Sequence, residues 1–78
     1  MTPADADQRI ILSRHTLKRF YQLSATGQKV PADSIPLIED EINLLDEIAK
    51  EHPGKVNKLL VLVGQWISFR DSIGVTLH

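Results

Sequence analysis

The sequence has no cysteine, a single tryptophan and a single tyrosine, and no apolar run of bilayer length. Without thiols, neither a disulfide framework nor a thiolate zinc site can hold a small fold together, and their lack fits a cytoplasmic setting. A membrane helix needs about 20 predominantly apolar residues. The longest candidate, Leu59 to Phe69, covers 11 and contains Gln65, so no span is expected. The start of the chain, Met-Thr-Pro-Ala-Asp-Ala-Asp-Gln-Arg, is acidic and polar where an export signal needs a basic start and an apolar segment. Cytoplasmic localisation is the expectation.

The chemistry of catalysis and metal binding is equally sparse. The imidazoles are His15, His52 and His78, and none has a second ligand one helical turn away. Ala49 and Ile48 stand where a di-iron bundle would place a carboxylate before His52. Glu47 and Glu51 form an i, i+4 pair on a polar face, which reads as solvated. Gly54-Lys55 lacks the rest of a phosphate-binding loop. Ser13 and His15 are two apart on a helix and point in different directions, so they do not make a nucleophile and base. Asp71, Ser72 and His78 are close in sequence only. No catalytic residue, metal site or cofactor is expected, and the chain does not read as an enzyme.

What is present is an ordinary globular composition, 42% hydrophobic and 24% charged over 78 residues. That is too apolar for disorder and enough for one domain, residues 1–78, around one small core. Cores of this size stabilise by only about 3–5 kcal/mol, so self-association would help.

Helical periodicity organises the chain. Helix 1 is predicted over about 8–25, with Asp5 or Asp7 as its cap. Ile10, Ser13, Leu17, Phe20, Tyr21 and Ser24 fall on one face, Leu12, Thr16 and Leu23 flank it, and Arg14, His15, Lys18 and Gln22 lie opposite. Ile11 falls among the polar residues, and Gly27 supplies a left-handed stop. Helix 2 is predicted over about 35–51, with Asp33 or Ser34 as cap and Pro36 in the first turn. Ile35, Ile38, Ile42, Leu45 and Ala49 repeat at three and four, and Leu37, Leu44 and Ile48 form an adjoining stripe. His52-Pro53-Gly54 breaks the chain and reverses it.

Helix 3 is predicted over about 55–72, and Gly74 to His78 reads as a short tail. Its residues Val56, Leu59, Leu60, Val63 and Ile67 make one face, and Leu62, Trp66, Phe69 and Ile73 an adjoining one. Together they span roughly 180 degrees, wider than the about 100 degrees a core-facing helix needs. A strand over Leu60 to Ile67 is the competing reading, but no second strand-like segment exists for it to pair with. The expected fold is therefore all-α, an antiparallel up-down-up three-helix bundle that self-associates.

The favoured function is a small protein–protein interaction module or adaptor acting as a homodimer. Its expected interface is Leu62, Trp66, Phe69 and Ile73, helped by Leu37, Leu44 and Ile48, with Trp66 as hot spot. Two charges lie inside apolar arcs, Glu41 and Arg70, and the hairpin geometry suggests that Arg70 meets Glu41 or Glu39 as a buried ion pair, within one subunit or across a dimer. Charge is also segregated. Residues 33–51 carry seven acids and one lysine, a net of −6, against +5 for the remainder. One alternative follows from that acidic segment: an inhibitor or adaptor whose helix 2 face, Glu39, Asp40, Asp46 and Glu47, engages a basic protein. A second alternative is a nucleic-acid-binding regulator using the basic face of helix 1 with Lys55 and Lys58. A sequence pI near 6.2 and an apolar third helix where a reading head needs polar side chains argue against it.

Overall fold

The computed structural model describes residues 2–27, 30–31 and 33–76, the last three through their backbone alone. Three helices run up, down and up: α1 Pro3–Ala25, α2 Ser34–Glu51 and α3 Val56–Thr76. A short 3-10 turn, Pro53–Lys55, joins the last two. No strand occurs among the described residues. The bundle measures 39 × 19 × 19 Å, the length of its helices by the width of a helix pair.

The start of α1 differs from the sequence reading. The helix begins five residues earlier than position 8, because Thr2 is its cap and Pro3 its first residue. Thr2 Oγ1 accepts from the Asp5 backbone N–H at 3.1 Å, while proline at that position has no N–H to leave unpaired. Asp5 and Asp7 are thereby not caps. At the other end Gly27 adopts φ +82, a left-handed conformation open to glycine at little cost, and its N–H reaches the Ser24 carbonyl at 3.1 Å. The buried line on α1 is Ala6, Ile10, Ser13 and Leu17, with Phe20 half-buried. Tyr21 and Ser24, read as part of that line, are exposed.

Helix α2 is the most strongly amphipathic of the three. Ile38, Leu45 and Ile48 are buried, and Ile35, Ile42, Leu44 and Ala49 are half-buried against them. Asp33 precedes the helix but makes no side-chain capping bond. The expected break follows Glu51. The His52 N–H closes the last turn onto the Ile48 carbonyl at 2.8 Å, and Lys55 N–H bonds the His52 carbonyl at 2.9 Å.

Helix α3 extends to Thr76, so Gly74 to Thr76 are helical backbone rather than tail; Leu77 and His78 lie outside the described residues. Its core seam is Leu59, Leu62, Trp66, Phe69 and Ile73, each no more than 6% exposed. These positions repeat at three and four, the spacing of helices packed at a shallow angle. Leu60, expected in the core, is 63% exposed, and Val61 is 64% exposed. Both apolar stripes of α3 are thus legible in the sequence, but apart from Leu59, which is core as expected, their roles are reversed.

Contacts fix how the helices sit. Asp7 meets Lys55, Ser13 meets Trp66, and Phe20 and Tyr21 meet Phe69, so α1 runs parallel to α3. Helix α2 is antiparallel to both and lies closest to α3. Helix α1 covers one side of this α2–α3 hairpin.

Candidate association face and groove

The side of the hairpin turned away from α1 is apolar. Lys58, Trp66 and Phe69 mark the side of α3 that α1 covers. At 100 degrees per residue, Val56, Leu60, Val63 and Ile67 fall within about 60 degrees of arc on the opposite flank. Leu60 is exposed and the other three are half-buried. On α2, the same construction places Ile35, Ile42 and Ala49 away from the Arg9–Glu41 contact that marks its α1 side. All three are half-buried. Because α2 and α3 are antiparallel neighbours, the two stripes adjoin across their seam and form one face.

The interface residues expected from sequence are elsewhere. Leu62, Trp66, Phe69, Ile73 and Ile48 are buried within the single chain, where α1 and α2 cover them. They are core, and no partner can reach them without opening the bundle. Leu37 is 66% exposed and Leu44 half-buried, but both lie on the α1 side of α2, beside a groove rather than on the apolar face. Periodicity alone left this ambiguous, since either stripe of α3 satisfies a core. A signal that would have decided it is the positions of Trp66 and Phe69: the largest side chains bury the most area, so the stripe holding them is favoured for the interior.

The core stripe also accommodates its polar handle. Trp66 Nε1 donates to Ser13 Oγ at 2.9 Å, with both residues essentially inaccessible. Phe20 packs edge-on to Trp66 at 6.0 Å between ring centroids and lies 5.6 Å from Phe69, and Tyr21 stands edge-on to Phe69 at 5.0 Å. Edge-to-face packing at such distances suits the aromatic quadrupole.

Within one chain the expected Arg70–Glu41 ion pair does not form. Glu41 Oε2 accepts from Arg9 Nη2 at 2.5 Å, while Arg70 Nε lies 3.6 Å from Asp71 on its own helix. The register explains this. A hairpin turning at 52–54 sets position 70 opposite position 36, about five residues or ~7.5 Å along the axis from Glu41. Glu41 also points to the α1 side of α2, where Arg9 arrives. Sequence reasoning correctly singled out Glu41 as an acid inside an apolar arc and missed which helix supplied its partner.

A groove of about 380 Å³ opens beside this pair, between α1 and α2. Arg9, Phe20, Leu37, Leu44, Glu41 and Trp66 line it.

Most of the remaining charges lie at the surface, with Lys55 half-buried. Lys55 Nζ bonds Asp7 Oδ1 at 2.7 Å and Lys58 Nζ stands 3.7 Å from the same oxygen. The Lys55 hydrogen bond, aided by the charges of both lysines, holds the Asp7 carboxyl below its ordinary pKa, against a smaller opposing effect of desolvation. Glu39, Asp40, Asp46 and Glu47 are all exposed, as the acidic-face reading requires. Two of them are engaged with Lys50, whose ammonium lies 3.4 Å from Asp46 and 3.5 Å from Glu47. The Asp46 hydrogen bond first, then the charge of Glu47, raises the Lys50 pKa. Arg14, His15, Lys18 and Arg19 are exposed on α1. Lys55 and Lys58, grouped with them in the nucleic-acid reading, are turned instead to Asp7.

Among the described residues no cluster of three or more His, Asp or Glu side chains has metal-binding geometry, and no helix is long and apolar enough to cross a membrane. No family model, curated protein or solved structure matches this chain.

Proposed function

We infer that the chain is a helical interaction module that works as a homodimer, paired through the α2–α3 face that α1 leaves uncovered. The observation that carries this reading is the second apolar stripe of α3. Val56, Leu60, Val63 and Ile67 are separated by four, three and four residues, a pattern symmetric about its midpoint between Val61 and Leu62. A two-fold axis at that midpoint runs the stripe antiparallel to its own copy, placing Val56 against Ile67 and Leu60 against Val63 of the partner subunit. An isologous interface requires this kind of self-complementarity. Ile35, Ile42 and Ala49, spaced by seven and seven, extend the contact from α2. Two hairpins joined this way make a four-helix bundle at the dimer centre, with each α1 packed outside it.

The pairing makes a specific test available. In a sample mixing isotopically labelled with unlabelled chains, the reading expects filtered nuclear Overhauser contacts from Leu60 methyls of one chain to Val63 methyls of the other. Intermolecular contacts confined to other residues contradict the proposed face.

A second reading has its own support. The four acids of α2 are exposed, so an acidic adaptor surface for a basic protein is sterically available. It lies beside the dimer face, so one molecule can carry both. Loss of partner capture on neutralising Glu39, Asp40, Asp46 and Glu47, with helicity intact, is the result that supports it.

A further inference from the structure

Beside the groove between α1 and α2, one of its lining residues, Glu41, carries a polar atom that the fold leaves unused. Glu41 gives Oε2 to Arg9, but its other oxygen, Oε1, is buried with no hydrogen-bond partner. A carboxylate oxygen taken from water without a donor is a cost that a bound donor can offset. The walls around it are largely apolar and aromatic, from Phe20, Leu37, Leu44 and Trp66, and Asp40 stands at the rim. The charges lining the groove are Arg9, Asp40 and Glu41, which leaves one net negative. Its volume of about 380 Å³ lies within the range of small-molecule sites.

We propose that this groove binds a small amphiphilic organic ammonium ion, with its apolar body on Phe20, Leu37 and Leu44 and an N–H donating to Glu41 Oε1. Two features select that class. A cation balances the surplus negative charge, whereas an anion meets two carboxylates and one guanidinium already committed to Glu41. An N–H donor satisfies Oε1, which a purely apolar guest leaves unpaired. The terminal carboxyl torsion of glutamate is soft, so Oε1 can turn into the groove while Arg9 follows the carboxylate. This face of α2 is separate from the proposed dimer contact, and the two stand or fall independently.

Trp66, the single tryptophan, reports from the groove wall. Titration with benzylammonium is expected to change its emission saturably, with phenylacetate binding at least about tenfold more weakly. Glu41→Gln removes one charge-assisted bond and should weaken the amine about tenfold or more. Leu37→Lys serves as the independent variant, because Leu37 is exposed and its replacement puts a cation at the rim without disturbing the core. It should abolish the amine response while circular dichroism stays unchanged. No saturable response by roughly 10 mM, equal responses to both ions, or an amine response that survives Leu37→Lys overturns the proposal.

Discussion

The indole N–H of Trp66 ends on the hydroxyl of Ser13, 2.9 Å away, at the centre of a core that is otherwise almost entirely hydrocarbon. That bond ties α1 to α3. It also gives a serine on the apolar line of α1 a structural reason to be there. Ser13→Ala removes the acceptor and leaves the indole donor buried and unsatisfied, a loss of about 1–3 kcal/mol. Urea denaturation followed by circular dichroism should show the midpoint fall without a change of slope.

The two stripes of α3 respond differently to truncation. Leu62→Ala cuts a core side chain and should cost about 2–5 kcal/mol, enough to unfold much of a domain this small. Leu60→Ala should change the stability of the isolated chain by less than about 1 kcal/mol, because the side chain is mostly in water. Denaturation of both variants at low protein concentration separates core from surface.

Gly64 is exposed within α3, and a Cβ built there meets nothing within 4 Å. Glycine in a helix interior is entropically unfavourable, so Gly64→Ala should raise stability by about 0.5–1 kcal/mol. Gly27 offers the contrast. Its positive φ makes Gly27→Ala strained, so thermal unfolding should move to lower temperature there and to higher temperature for Gly64→Ala.

Acid should loosen the junction of α1 with the start of α3. The Asp7 pKa is lowered by Lys55, so the folded state holds fewer protons there than the unfolded chain. Its stabilisation is complete above the ordinary carboxylate pKa of about 4 and is lost as pH falls through the depressed value. Asp7→Asn should therefore destabilise at neutral pH and show a smaller drop below about pH 4 than the wild type. Urea midpoints across pH 2–7, roughly the range bracketing that titration, measure both effects.

The helices were legible in the sequence because their signals are local. The three-and-four repeat of α2, the Pro53-Gly54 break and the Gly27 stop each act within a turn of chain. The start of α1 was misplaced because Thr2 and Pro3 sit before any apolar residue announces a helix. The larger reversal, on α3, has a different cause. A helix that is apolar nearly all round has no single face for periodicity to find, and which stripe becomes core depends on where α1 docks. Ser13 opposite Trp66, Arg9 opposite Glu41 and Asp7 opposite Lys55 decide that placement, and each pair is at least 32 residues apart in sequence. Glu41 shows the same limit: its unusual position was visible from its neighbours, its partner was not.

The most direct test of the two-stripe account is sedimentation equilibrium over a dilution series, for the wild type and for Leu60→Lys with Ile67→Lys. The account predicts a wild type at twice the 8.8 kDa chain mass that dissociates on dilution, and a doubly substituted chain at 8.8 kDa with its helicity retained. A wild type at the chain mass at every concentration, or a substituted chain that stays at twice that mass, contradicts it.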